Sequence, residues 1–354
     1  MAALARLLLA CCGLITAAAA AQTVTTLKVH HFLPTGSTTH AKLIMPWCAK
    51  IEAESAGRLK CEIFPSMQLG GTAPQLYDQV RDGVADIVWT LPGYNAGRFL
   101  SMEVFELPFM ISDAQSASRA AWQYYEKHGR SDFRDVRPLA VHVHDAGYLH
   151  TRERPVRTLE DFRGMKLRAP TRQTNKLLAA LGAAPVSMPV TGLADAMSKG
   201  VIDGALVPWE VVPAIKVHEV ARFHTETDPN MPALYTAVFL FAMNPKTYAS
   251  LPPDLRAVID RNSGAELSEQ AGRLWDEQKA PARKLALDRG NTIVVVPAAE
   301  LARWQQAAQS VITDWLADLK RRQIDADALL ADARGLLARR TAPAASTPRA
   351  PTAP

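Results

Sequence analysis

Cysteine is scarce: four residues in 354, with no CxxC pair and no spacing that builds a cysteine-held metal or redox centre. Beyond residue 21 no apolar run approaches the length of a membrane span. GxSxG, P-loop, HExxH and a post-strand GxGxxG are all missing, which removes the best-marked hydrolase, nucleotide-binding and metalloprotease classes. Internal repeats and flexible linkers between periodic segments are missing too. Excess charge is also absent from the body of the chain. The formal charge of +5 comes from Arg6 and from residues 320–354, where seven Lys/Arg face three Asp/Glu, so residues 22–319 are neutral. A neutral body with a basic end gives little purchase on nucleic acid, and no nucleic-acid partner is expected.

What is present begins with a leader. "MAALARLLLACCGLITAAAAAQ" has one basic residue, an apolar core and small residues before Gln22, the pattern of a secretory signal peptide cleaved after Ala21. "LLAC" at residues 8–11 is a weaker lipoprotein box. The mature chain is then expected in the periplasm, where disulfides form. Cys48 and Cys61 fall on a predicted helix and on the strand after it, and two small buried hydrophobes are favoured over a bridge. The Pro/Ala/Thr-rich residues 341–354 cannot form a core and read as disordered.

Between these ends, strand-like runs alternate with amphipathic windows. "LKVHHF" precedes a helix with Leu43, Ile44, Trp47 and Ile51 at helical spacing, and "LKCEIF", "ADIVWTL", "RPLAVHVH", "MKLRA" and "IDGALV" recur between further helices. The pattern is α/β, with about two domains' worth of residues. The window from Asp254 to Asp288 reads helical throughout, with a kink at Pro281. Such a helix, on the order of 50 Å long, exceeds what one small lobe needs and suggests a spine under two. A strand "TIVVV", a helix over residues 298–319 and a terminal helix within 320–340 complete the chain.

Three fragments carry candidate chemistry. In "HVHDAG", His142 and His144 share one face of a strand, a geometry suited to two ligands on one metal. An exported metal-dependent hydrolase is the resulting alternative function. Only His218 and His224 follow His150, however, and histidines bonded within a strand fit the pattern better. The glycines of "QLGGT" expose backbone N–H groups to an anion or simply make a turn. "GMKLRAP" places Arg168 at the closing end of a strand that Pro170 terminates. An arginine fork there suits a carboxylate, and a surface ion pair to Glu160 or Asp161 is equally open.

In order along nearly the whole mature chain, "GRLKCEIFPSMQLGG", "RDGVADIVW", "FELPFM", "LEDFRGMKLRAP", "LGAAPVSMPVTGLADAMSKGVIDGALVPWE" and "MNPKTYASLPPDLRAVI" resemble the DctP-type solute-binding proteins of tripartite ATP-independent periplasmic (TRAP) transporters. The resemblance implies a two-lobed α/β periplasmic binding protein with crossing strands and a long helix under both lobes. Its parts would be residues 22–147, 148–228, a return at 229–253, and a shared 254–319. It implies a binding subunit and not an enzyme, without cofactor or metal. The expected partners are a small organic acid and the small and large membrane subunits of the permease. A ligand sensor docked on a receptor would use the same fold.

The family's carboxylate-pairing arginine falls on Arg168, and its other pocket positions fall on Phe32, Trp89, Val190 and the segment from Val207 to Trp209 and Glu210. Trp89 and Trp209 are equally suited to core packing, and Glu210 to capping a short helix. Sialic-acid-type members carry a second arginine where this chain reads "AGYLHTR", giving Tyr148 or Leu149, with His150 nearby. They also place an asparagine at Val207 and a phenylalanine at Val190. Fewer polar groups imply an acid with an aromatic or otherwise apolar body. Glu210, Tyr148 and His150 would then hold a substituent beside its carboxylate.

Overall fold

The computed structural model describes residues 24–339, so the expected leader and the 341–354 tail lie outside the described residues. The first half runs β1 (Thr25–His31), α1 (Met45–Glu54), β2 (Leu59–Phe64), α2 (Leu76–Asp82), β3 (Ile87–Thr90), α3 (Ala114–Tyr124) and β4 (Arg137–Val143). Next come β5 (Gly147–Thr151), β6 (Lys166–Ala169), α4 (Arg172–Ala180), β7 (Ala184–Ser187), α5 (Leu193–Ser198), β8 (Gly204–Pro208), α6 (Val217–Val220) and β9 (Phe223–Glu226). The chain closes with β10 (Val238–Met243), α7 (Pro245–Ser250), α8 (Pro253–Arg261), α9 (Ala265–Asp288), β11 (Thr292–Val295), α10 (Ala298–Arg321) and α11 (Ala326–Ala338).

The strands form two sheets, ordered β2-β1-β3-β10-β4 and β11-β9-β5-β8-β6-β7. In the first, β1 runs parallel to β2 and β3, while β10 lies antiparallel between β3 and β4. In the second, β5 is antiparallel to β8 and β9, and β6 is parallel to β7 and β8. The chain passes from the first sheet to the second between β4 and β5, and returns between β9 and β10. Six consecutive buried residues in β10, "VFLFAM", reflect a strand covered on both faces. The result is a two-lobed α/β fold with the cleft at the crossings.

The spine differs from its sequence expectation. The helical window breaks at residues 262–264, and Pro281 sits within α9 without ending it. Gly264 adopts φ 97° and its N–H bonds the carbonyl of Leu139 at 2.7 Å, so the backbone leaves helical geometry there. With 24 residues, α9 spans roughly 36 Å at 1.5 Å per residue, less than expected. It still packs on β4 of the first sheet and on the turn at Trp209–Val211 that follows β8 of the second.

Cys48 and Cys61 form a disulfide, S–S 2.12 Å with Cα atoms 5.8 Å apart, which corrects the reading of two separate buried hydrophobes. The turn after α1 returns the chain directly onto its own helix, so Cys48 of α1 faces Cys61 of β2.

Candidate functional site

Arg168 lies in β6, whose last three residues are all buried, and is itself 3% exposed. Its Nε donates to the carbonyl of Met188, beyond β7, at 2.9 Å. Its Nη1 donates to the carbonyl of Leu206 in β8, also at 2.9 Å. The strands on either side of β6 therefore fix the guanidinium plane. Among the described residues no carboxylate lies within ion-pair distance of it. The surface partners open to it from sequence are engaged elsewhere: Glu160 pairs with Arg303, and Asp161 accepts the N–H groups of Arg157 and Thr158. A buried guanidinium held only by neutral groups is costly unless an anion completes it.

Two tyrosines that the sequence did not single out stand beside Arg168. Tyr94 Oη accepts the N–H of Val190 at 3.1 Å and also hydrogen-bonds Arg168, which leaves its own proton to donate. Tyr235 Oη is buried and has no hydrogen-bond partner. The Tyr235 ring rests on Gly147 at the start of β5, where any side chain would collide with it: an added Cβ would lie 2.0 Å from the ring. Burial raises the pKa of both phenols, so they stay protonated donors at neutral pH. His144, on the same cavity, is pushed down to about 3 by burial and is neutral.

These groups face a cavity between the two sheets. From the first sheet's side come Phe32, Trp89 and Phe239. Trp89 stacks on Phe239 (centroids 4.5 Å, 11° between planes) and meets Phe32 at 5.0 Å. Trp89 Nε1 donates to His142 Nε2 at 2.9 Å, which turns the polar edge away and fixes the ring. Trp275 of α9 also lines the cavity, its ring 6.1 Å from that of Trp89. Val190, Val207 and Glu210 line the cavity from the second sheet. The arrangement offers one cation, two hydroxyl donors and an aromatic-aliphatic box.

Arg168, Phe32, Trp89, Val190, Val207 and Glu210 therefore share one cavity, while Tyr148, His150 and Trp209 lie outside its lining. After Pro208 the chain enters a tight turn at Trp209–Val211, which directs successive side chains apart. Glu210 reaches the cavity, and Trp209 turns into the second lobe, donating from Nε1 to Glu226 at 2.7 Å. His150 is carried along β5 beneath the Trp209 ring (centroids 4.9 Å), with its Nδ1 2.6 Å from His224 Nδ1 and its Nε2 3.0 Å from the Val207 carbonyl. Tyr148 is covered by Lys279 of the spine, 5.0 Å from the ring. The other candidate pair is bound within the protein as well: His142 to Trp89, and His144 through Nδ1 to the Asp145 carbonyl. Among the described residues no group of three or more His, Cys, Asp or Glu is placed to hold a metal ion.

The family model for bacterial extracellular solute-binding proteins, family 7 (DctP), matches residues 29–318. The chain belongs to that family. Among solved structures, this family-7 protein is similar to a TRAP solute-binding protein from Rhodoferax ferrireducens in complex with copurified benzoate. The two are 47% identical with a TM-score of 0.88, over 90% of this chain and 99% of that one. A marine-metagenome TRAP solute-binding protein with metahydroxyphenylacetate is 46% identical (TM-score 0.88; 90% and 100% covered). One from Bordetella bronchiseptica, with bound mandelate, is 30% identical (TM-score 0.82; 89% and 99% covered). The family-7 chain is thus a solute-binding protein of TRAP-type transport, and the hydrolase reading falls. No helix of its described residues is long and apolar enough to cross a membrane.

Proposed function

We propose that this protein captures an aromatic monocarboxylic acid in the periplasm and delivers it to a TRAP permease. The observation that carries this reading is a buried arginine without a carboxylate partner at one side of an aromatic-walled cavity. The ligand carboxylate takes the free edge of Arg168 as a charge-assisted pair and receives the hydroxyl protons of Tyr94 and Tyr235. Its ring lies against Phe32, Trp89 and Phe239 in offset or edge contact. Val190 and Val207 offer no donors for a polyol, whose buried hydroxyls would each need a partner. The benzoate, metahydroxyphenylacetate and mandelate complexes of the similar proteins support the same class.

The ligand would touch groups from both sheets, so it favours the closed arrangement through differential affinity. In this reading residues 22–147 with 229–253 form one lobe and 148–228 the other, while 254–319 serve both. Residues 1–21 are the leader that directs export, removed after Ala21.

Titration calorimetry tests the proposal. Benzoate, phenylacetate and mandelate should bind at least ~30-fold tighter than acetate or lactate, since a buried phenyl contributes roughly 2–3 kcal/mol. Arg168→Ala should lower affinity by ~30-fold or more, with Arg168→Lys nearly as damaging. Tight binding of glucuronate or a sialic acid, with no response to the aromatic acids, would overturn the assignment.

A further inference from the structure

Glu210 is out of place in the box just described. It is 5% exposed, lines a cavity walled apart from Arg168 and His144 by apolar and aromatic side chains, and its Oε1 has no hydrogen-bond partner. The rest of the carboxyl group is held by Thr38, which donates through both its hydroxyl and its backbone N–H. Thr38 follows β1 of the first sheet and Glu210 follows β8 of the second, so the contact fixes Glu210 across the cleft. A buried oxygen held in place and left unmatched is a strong preference waiting for a donor.

That donor is not supplied by the protein, and in the reading above the ligand's own carboxylate is already taken by Arg168, Tyr94 and Tyr235. We infer that Glu210 reads a hydroxyl on the ligand's ring or side chain and makes the protein selective for hydroxylated aromatic acids over their unsubstituted parents. This rests on the aromatic-acid reading above and narrows it. A cationic substituent fits less well, because Lys42 already adds positive potential at Glu210 and a second ion would have to be desolvated. Burial lifts the Glu210 carboxyl to about 7, so near neutral pH a substantial fraction is ionised and accepts a proton-donating group readily. The cavity thus divides its work: Arg168, Tyr94 and Tyr235 take the carboxylate, the aromatic walls take the ring, and Glu210 discriminates.

Calorimetry with matched ligands tests this. Benzoate, its three monohydroxy isomers and the corresponding methoxybenzoates are titrated into the wild-type protein, Glu210→Gln and Glu210→Leu. At least one hydroxybenzoate should bind wild type at least ~10-fold tighter than benzoate and than its own methoxy counterpart, the size expected of a buried bond to a charged acceptor. The ratio should fall several-fold in Glu210→Gln, which keeps the shape and an amide acceptor, and approach one in Glu210→Leu. Because the readout is a ratio within each protein, either variant suffices if the other fails to fold. Aromatic acids that bind equally well with and without the hydroxyl would overturn the role of Glu210 and leave the proposed function standing. So would a preference that persists in the variants. No binding by any aromatic acid would overturn both.

Discussion

Arg172 Nε donates to Glu103 Oε1 at 2.9 Å, joining the first turn of α4, which follows a strand of the second sheet, to a segment that follows β3 of the first. Arg172 Nη2 bonds the other Glu103 oxygen, Nη1 reaches Asp318 of α10 at 2.7 Å, and Gln173 Nε2 adds a bond to Glu103 at 2.8 Å. Arg172 therefore ties together three elements, two of them on opposite sides of the cleft. The Glu103 side chain is only 7% exposed, so removing its partner strands a buried charge. Arg172→Ala should destabilise the protein by about 1–3 kcal/mol, discounted from a fully buried pair because the Arg172 side chain is 19% exposed. Glu103→Ala added to it should recover part of the loss. Urea denaturation of the two variants checks this, and an Arg172→Ala protein as stable as wild type would refute the tie.

The Cys48–Cys61 bridge closes a loop of 13 residues in sequence separation. In the chain-entropy view a loop of about this size stabilises by about 3 kcal/mol. Reduction, or the Cys48→Ala/Cys61→Ala double variant, should lower the denaturation midpoint accordingly. Ligand affinity should hold, since neither residue lines the cavity. Identical midpoints with and without reductant would contradict the expected contribution.

The α/β alternation and the arginine at a strand end were legible because period-two runs and a closing proline are local signals. The site was legible only in part, because its geometry depends on turns and on contacts far apart in the chain. Trp209 and Glu210 are adjacent in sequence, yet the turn after Pro208 sends them to different places. Tyr94 follows "PG" directly after β3, a signal that a cleft-edge turn begins there. Tyr235 gives no such cue: it lies in the return between the sheets and reaches the cavity only because Gly147, 88 positions earlier, leaves room for its ring. The disulfide was illegible for a similar reason, since a helix and the strand after it do not reveal which faces meet. The break of the spine at Gly264 depends on a bond to Leu139, which lies in another element.

The last prediction concerns pH and rests on Glu106. Its carboxyl is 3% exposed, Oε1 accepts the Val238 N–H at 3.3 Å, and Oε2 has no partner. Burial, reinforced by the neighbouring Glu103, pushes it from the ordinary 4.5 up to about 8. Between those values the folded protein holds a proton that the unfolded chain has released, so this group's effect on stability becomes steadily less favourable as pH rises from about 4.5 to about 8. Buried histidines act in the opposite sense. Burial lowers His142 to about 4 and His144 to about 3 from 6.5, so their contribution is present above 6.5 and is lost as pH falls below it. Wild-type stability alone mixes these effects, and Glu106→Gln separates them, because an amide does not titrate and the histidines are common to both proteins. The stability of Glu106→Gln relative to wild type should therefore improve by about 2–3 kcal/mol between pH 5.5 and pH 8, taking 1.36 kcal/mol per pKa unit. Denaturant titrations of both proteins at the two pH values give that difference directly. A difference that does not change with pH would mean that Glu106 is ionised in the folded protein throughout, and that the Val238 N–H and the Thr171 hydroxyl suffice to hold its charge.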